Sequence, residues 1–201
     1  MNTFSIKEAL RAGWDIWKSH EKVIILATLI MGVVNIAADV REESLYMMVQ
    51  GLVLTAISLV LHIGWTKLLF KLKDGEAASL QELVNHFTLF WKYFFATLLF
   101  SVGFILGFIL FVIPGIYFAL RYQFIFLSII DKNLGIKEAF QESARLTQGI
   151  KWKLLGLTFV AVFLNILGFL SLGIGLLVSA PVTTLAYIHV YRKLSAPVVG
   201  E

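Results

Sequence analysis

The sequence predicts an all-α fold, a six-span transmembrane helix bundle built from three parallel repeats of an interfacial amphipathic helix and a transmembrane hairpin. Three observations lead to this prediction. Of the 201 residues, 59% are hydrophobic and 15% are charged, whereas soluble domains contain about 45–50% apolar and about 25% charged residues. The apolar residues form long runs, and the basic residues are concentrated between alternate runs. We therefore expect one integral membrane domain over residues 1–201, in agreement with its mean hydropathy of +0.84.

The apolar runs define the predicted spans. A helix needs about 20 residues to cross a hydrocarbon core of about 30 Å. We assign spans to residues 23–38, 45–66, 93–113, 116–130, 154–170 and 172–190. Pro114-Gly115 should form a tight external turn, because proline lacks the donor of a continuing helix and glycine tolerates positive φ. Ser171, Gly173 and Gly175 leave room for another tight turn between the last two spans.

The distribution of basic residues predicts the orientation. Fifteen of the 17 lysines and arginines lie before the first span, between the second and third, between the fourth and fifth, or after the sixth. The loops on the opposite side contain one basic residue, Arg41. Cytoplasmic segments carry such an excess, so both termini are expected in the cytoplasm. Basic residues placed between apolar runs face lipid headgroups, and the net charge of +4 therefore does not indicate a nucleic-acid partner.

Each predicted cytoplasmic segment begins with a similar pattern, which defines repeat units over residues 1–70, 71–131 and 132–195 and a tail over 196–201. The three patterns are Ser5-Ile6-Lys7-Glu8, Ser79-Leu80-Gln81-Glu82 and Gly135-Ile136-Lys137-Glu138. The first two are predicted capping boxes, in which serine and glutamate bond to free backbone N–H groups. Trp17, Trp91 and Trp152, each followed by a lysine, mark the membrane entrance. We expect helices over 5–17, 79–90 and 135–148 that lie on the inner membrane face.

A longer set of residues resembles a known family. It comprises the stretch 111–117, Arg121, Asp131, Glu138-Ala139, Ser143, Leu146-Thr147, Gly149 and Trp152, with similar residues over 6–18 and 180–192. The order resembles a family of uncharacterised multi-pass bacterial inner-membrane proteins, which is related to the membrane domain of glycerophosphoryl diester phosphodiesterase. The resemblance implies a helical protein of the bacterial inner membrane without an established activity. The phosphodiesterase chemistry belongs to a separate soluble domain, so the resemblance implies no catalytic residue.

Arg121 is the candidate site residue, as a contact for an anionic ligand or a lipid headgroup. It lies inside the fourth predicted span, where a charge is costly and often functional. A guanidinium binds phosphate or carboxylate in bidentate fashion. The structural alternative is that Arg121 extends outward to the interface or caps carbonyls near Pro114. Asp39, Glu42 and Glu43 are the acidic residues that the predicted topology places on the same side.

Other polar residues give weaker indications. Interhelical hydrogen bonds are expected from Asn35, Gln50, Gln123 and Asn165, and Gly103 and Gly107 form a G-x-x-x-G motif that permits close helix packing. His62 and His189 have no evident metal or acidic partner. No aspartate or glutamate lies in a proposed span, whereas ion-coupled transporters commonly use buried carboxylates. The chain has no cysteine, no H-E-x-x-H motif and no glycine-rich phosphate loop. We therefore predict no enzyme activity, no cofactor and no metal.

Three functions are compatible with these features. The first is an accessory component that organises envelope proteins or lipids. The alternative is a transporter or channel for a small solute or lipid, with a path between the three hairpins. The third is a membrane enzyme that acts on lipid and uses Arg121 as an anchor. The expected partners are membrane lipids, other envelope membrane proteins or a second copy of the chain. A polar cavity between the spans would favour transport, whereas a dry, packed interior would favour the accessory role.

Overall fold

The computed structural model describes residues 4–38 and 45–196, and the regular secondary structure in this part of the chain is helical, without strands. The described α-helices are α1 (Ile6–Ser19), α2 (Glu21–Ala38), α3 (Leu45–Lys73), α4 (Phe90–Leu110), α5 (Val112–Tyr122), α6 (Ile125–Lys132), α7 (Ile136–Leu146), α8 (Lys151–Leu170) and α9 (Leu176–Ser195). Two short 3-10 turns, Leu80–Leu83 and Phe87–Leu89, precede α4. The prediction of an all-α fold is confirmed.

Four helical segments in the described ranges are long and apolar enough to cross a membrane. They are Val49–Lys73, Leu80–Leu110, Val112–Lys132 and Lys151–Leu170. A fifth is obtained if Ile6–Ser19 and Glu21–Ala37, which are bent by 96° at a short break, are counted as one span. Helix α9 is not among them, because polar and basic residues occupy much of its second half. The protein thus has four to five candidate spans by length and composition.

The core is one cluster of buried side chains, and α6 and the C-terminal halves of α3 and α9 contribute many of them. The Tyr191 ring lies 5.8 Å from Phe70 and 6.0 Å from Phe124. The Lys67 ammonium donates a hydrogen bond of 3.2 Å to the Ile130 carbonyl and links α3 to α6. Side chains that are almost completely buried here include Phe70, Phe124, Ile125, Ile129, Ile130 and Tyr191. By contrast, α4 and α8 expose large apolar side chains on their outer faces, as expected of surfaces that contact lipid.

The hairpin of α4 and α5 turns at Phe111, which has extended backbone dihedrals (φ −170°, ψ 152°). The prediction of a turn at Pro114-Gly115 is therefore wrong by three residues. Pro114 lies in the first turn of α5, where its missing N–H has no intrahelical partner to lose. Gly115 does not adopt positive φ but allows close packing, since a Cβ on Gly107 would lie 3.1 Å from the Gly115 Cα. The G-x-x-x-G motif of α4 thus packs against α5.

The other two hairpins are joined by polar side chains. Ser58 on α3 donates a hydrogen bond of 2.8 Å to Asn35 on α2. Asn165 on α8 bonds to Thr183 and accepts from Ser179 on α9, at 3.2 and 2.9 Å. The expectation of interhelical bonds is confirmed for these two asparagines. Gln50 is exposed, and Gln123, directly after α5, bonds back to the Leu120 carbonyl of that helix. The predicted tight turn before α9 is present, with Gly173 at φ 78°.

The fourth predicted span is broken between α5 and α6, and α7 satisfies the backbone groups that the break releases. The buried Ser143 hydroxyl accepts from the Phe124 N–H at 3.1 Å and donates to the Arg121 carbonyl at 3.0 Å. Thr147 also donates to the Arg121 carbonyl at 3.0 Å. Non-helical backbone at membrane depth is tolerated only with such partners. The broken span therefore depends on two side chains of the following amphipathic helix.

Helices are present over most of residues 5–17 and 135–148, as α1 and α7. The prediction of one helix over residues 79–90 is wrong, because these residues form two 3-10 turns and the start of α4. The position of the three segments on the inner membrane face stays a prediction.

Helix α1 packs antiparallel against α9. Near one end Lys193 bonds to Glu8 at 2.9 Å, and near the other Trp17 Nε1 donates to the Leu177 carbonyl at 3.3 Å. Gly13 touches α9 between these points, and a Cβ there would overlap the Val182 carbonyl oxygen. The apolar face of α1 is therefore covered by α9.

The two predicted capping boxes are wrong. Ser5 and Ser79 occupy N-cap positions with extended backbone, but neither side chain makes a capping hydrogen bond. Glu8 instead binds Lys193, and Glu82 binds Lys71 at 2.7 Å. A hydrogen bond between two charged groups is stronger than one to a neutral backbone amide. The glutamates therefore stabilise contacts between helices rather than the starts of their own helices.

Candidate functional site

A partly open cavity of about 400 Å³ lies between the three hairpins. All three predicted repeat units contribute to its wall. The polar side chains that line it include His62 and Thr66 from α3, Gln123 from the α5–α6 break, Thr158 from α8, and Thr184 and Tyr187 from α9. The remaining wall is mostly apolar, with Phe100, Leu120, Phe126 and Ile130 among its residues.

The cavity wall contains neutral polar groups and no charged side chain among its described lining residues. The hydroxyls of Thr158 and Tyr187 are 2.8 Å apart and bond to each other across α8 and α9. The His62 ring lies 6.0 Å from Trp65 and 6.1 Å from Tyr93, in an aromatic environment. Such a wall suits an apolar or neutral amphipathic molecule that makes a few hydrogen bonds. This role of His62 was not predicted, because most of the residues that line the cavity with it come from other helices.

One end of the core carries a network of ion pairs, which we call the ionic end (Asp74, Asp131 and Arg192). Arg192 on α9 donates to Asp131 at 2.7 Å and to Asp74 through two of its nitrogens. Asp131 is only 8% exposed. The network joins the ends of α3, α6 and α9 and closes the core at this end. Arg192 contributed to the orientation predicted from the sequence, but its pairing with Asp74 and Asp131 was not predicted.

Around the ionic end, further ion pairs attach the amphipathic segments to the core helices. Lys132 at the end of α6 binds Glu142 on α7 at 2.8 Å, and Arg145 binds the same carboxylate at 3.0 Å. Arg145 and then Lys132 hold the pKa of Glu142 below its ordinary value, against the opposing effect of partial burial. His189, which the sequence left without a partner, lies 3.5 Å from Glu8. These contacts fix α7 and α1 to the ends of the core helices.

Arg121 lies in the last turn of α5 and outside the residues that line the cavity. It is ten residues beyond the Phe111 turn, about 15 Å along the helix at about 1.5 Å per residue, and not the shorter distance expected from a turn at Pro114. Its guanidinium carbon lies 5.6 Å from the centre of the Tyr122 ring. One helical turn before it lies Tyr117, whose hydroxyl accepts a hydrogen bond from Lys151. The acidic candidates at positions 39, 42 and 43 lie outside the described residues. Among the residues that the structure describes, no carboxylate contacts Arg121.

Comparisons with protein-family models, with curated proteins and with solved structures found no match. The resemblance to the family of bacterial inner-membrane proteins therefore stays a prediction. In the described ranges, no group of three or more histidine, aspartate or glutamate side chains is arranged to hold a metal ion. The features that bear on function are consequently the cavity, the ionic end and the surroundings of Arg121.

Proposed function

We propose that the chain is a six-span protein of the bacterial inner membrane that binds a neutral amphipathic molecule, a lipid or a small solute, between its three hairpins. The cavity of about 400 Å³ carries this proposal, because a mostly apolar wall with several hydrogen-bonding groups is the composition of a small-molecule site. The accessory role expected from the sequence stays a prediction, and the cavity favours the alternative of transport.

The same kind of helix contact occurs in each of the three units, which supports the proposed repeat. Helix α7 packs against α5 and α6, and the 3-10 turn Leu80–Leu83 packs against α3. Each amphipathic segment thus contacts the second span of the preceding unit. Helix α1 completes the ring by packing against α9, the second span of the last unit. The contacted residues Gly64, Phe124 and Ala186 lie seven to nine residues before Lys73, Lys132 and Lys193, which agrees with a threefold repeat.

The proposed topology predicts reporter locations. Fusions after Lys73, after Lys132 and at the C-terminus are expected to report a cytoplasmic location, and a fusion near Glu42 an external one. The physical reason is the excess of basic residues in the first three positions. Paired reporters that are active on opposite sides of the membrane provide the measurement. An external location at Lys132 would contradict the six-span arrangement, because α5 and α6 would then not cross.

Filling the cavity is expected to prevent binding. The probe is the methyl ester of a doxyl-labelled fatty acid, which is neutral and should quench the fluorescence of Trp65 in the cavity wall. Ala119→Phe places a ring in the cavity and should weaken binding about tenfold or more, the equivalent of about 1.4 kcal/mol. Leu98→Phe, on the exposed face of α4, is the matched control and should bind as the original protein does.

Two results would contradict this proposal. The first is quenching of equal size in a Trp65→Phe variant, which would place the probe elsewhere on the protein. The second is equal binding by the Ala119→Phe and Leu98→Phe variants, provided that both unfold at the temperature of the original protein.

A further inference from the structure

Two basic side chains from different helices meet at one tyrosine. Lys151, at the start of α8, donates to the Tyr117 hydroxyl at 2.9 Å and lies 4.3 Å from the centre of its ring. Arg121 follows Tyr117 by four residues on α5, so its side chain is a neighbour of the same phenol on the helix surface. Like charges that share a neighbour repel each other, and the repulsion is largest where water is scarce. An anion between Arg121 and Lys151 would convert this repulsion into attraction.

No described carboxylate neutralises this pair, unlike the other basic clusters of the bundle. Arg145 and Lys132 share Glu142, and Arg192 binds two aspartates. The Nε atom of Arg121 is buried and has no hydrogen-bond partner. A buried donor without an acceptor is unfavourable, and a guanidinium N–H is suited to bind a phosphate oxygen. The geometry therefore leaves both a charge and a donor available to an anionic ligand.

The position of the pair on the surface indicates which anion can reach it. Tyr117 is 47% exposed, and the neighbouring Ile113 and Ile116 are also exposed on the outer face of α5. Lys151 precedes Trp152, which is 85% exposed. Tryptophan and lysine are typical of the membrane–water interface, where phospholipid phosphates lie. The site is thus open on the outer face of the bundle, beside the residues typical of the interface at the start of α8.

We propose that Arg121, Lys151 and Tyr117 bind the phosphate group of an anionic phospholipid. Arg121 would contact two phosphate oxygens, Lys151 would supply a second charge, and the Tyr117 hydroxyl would donate a hydrogen bond to the phosphate. This site does not line the cavity, so it goes beyond the proposed function and does not depend on it. It also gives the candidate residue Arg121 two named partners.

Native mass spectrometry with added phosphatidylglycerol or phosphatidylcholine tests the site in the whole chain. The original protein should retain phosphatidylglycerol preferentially. Arg121→Gln and Lys151→Gln should each weaken this retention about tenfold, the equivalent of about 1.4 kcal/mol. Lys153→Gln is the matched control, because Lys153 is an exposed neighbour on the same helix, and retention should change less than about twofold.

The remaining measurements separate the possible outcomes. Arg121→Lys keeps the charge but loses the bidentate geometry, so it should fold normally and still retain less phosphatidylglycerol. If inorganic phosphate displaces the lipid, the anion site is supported and free phosphate becomes a second source of its ligand. Equal retention of both lipids by the original protein would overturn the proposal. So would an equal loss in Lys153→Gln, or unchanged retention in a folded Lys151→Gln.

Discussion

The Gly13→Val variant is expected to lose about 1–3 kcal/mol of unfolding free energy, because the new side chain overpacks a contact between two helix backbones. A Cβ at position 13 already overlaps the Val182 carbonyl oxygen and lies 3.2 Å from the Ala186 nitrogen. Neither atom can move without displacing α9, the helix that contacts α1, α2, α3, α7 and α8. Thermal unfolding in detergent, followed by tryptophan fluorescence, measures the loss.

The matched control is Gly32→Val, since a Cβ on Gly32 in α2 meets no other atom within 4 Å. Its melting temperature should remain close to that of the original protein. A similar fall in both variants would show that the loss reflects valine in a helix and not the packing of α1 against α9. An unchanged melting temperature in Gly13→Val would show that this contact is absent in the folded protein.

The second large effect is expected from Ser143→Ala, which leaves the Phe124 N–H without its acceptor at the break between α5 and α6. A buried backbone group that loses its partner costs about 1–3 kcal/mol. Adding Thr147→Val removes the other hydroxyl that donates to the Arg121 carbonyl, and the double variant should be less stable than either single one. The same thermal unfolding measurement applies.

Ser171→Ala provides the control for this effect. The Ser171 hydroxyl also bonds to a backbone carbonyl, that of Leu167, but the residue is exposed at the end of α8. Its substitution should change stability by less than about 0.5 kcal/mol. Equal stability of the Ser143→Ala and Ser171→Ala variants would contradict the proposed role of α7 in stabilising the broken span.

The helices could be predicted from the sequence because long apolar runs determine their existence, but two turns depend on packing. Pro114 is compatible with a turn and equally with the first turn of a helix. The contact between Gly107 and Gly115 decides in favour of the helix, and a contact between distant residues is not visible in a local pattern. The break at Gln123 and Phe124 is likewise stabilised by Ser143, a distant residue that the sequence analysis noted only for the family resemblance.

The candidate site was predicted in part. Arg121 was identified from its charge within an apolar run, and this local signal is sufficient to select the residue. Its neighbours Tyr117 and Lys151 lie on two helices whose packing the sequence does not state, so the pair could not be predicted. The cavity escaped prediction for the same reason, since its wall combines neutral residues from three hairpins and no single residue among them is unusual for its position.

The packing of α1 against α9 has a consequence for the time course of folding. Trp17 and Leu177, which are joined by a hydrogen bond, are 160 residues apart in the chain. At a synthesis rate of about 5–20 residues per second, roughly 8–30 s pass between their emergence from the ribosome. During this interval α1 lacks its docking surface, and the membrane interface is the place where its apolar face can be accommodated. Helix α9, the less apolar helix of its hairpin with α8, then enters a bilayer that already contains α8 and has α1 at its surface. The nascent chain therefore completes its ring of helices only when α9 inserts.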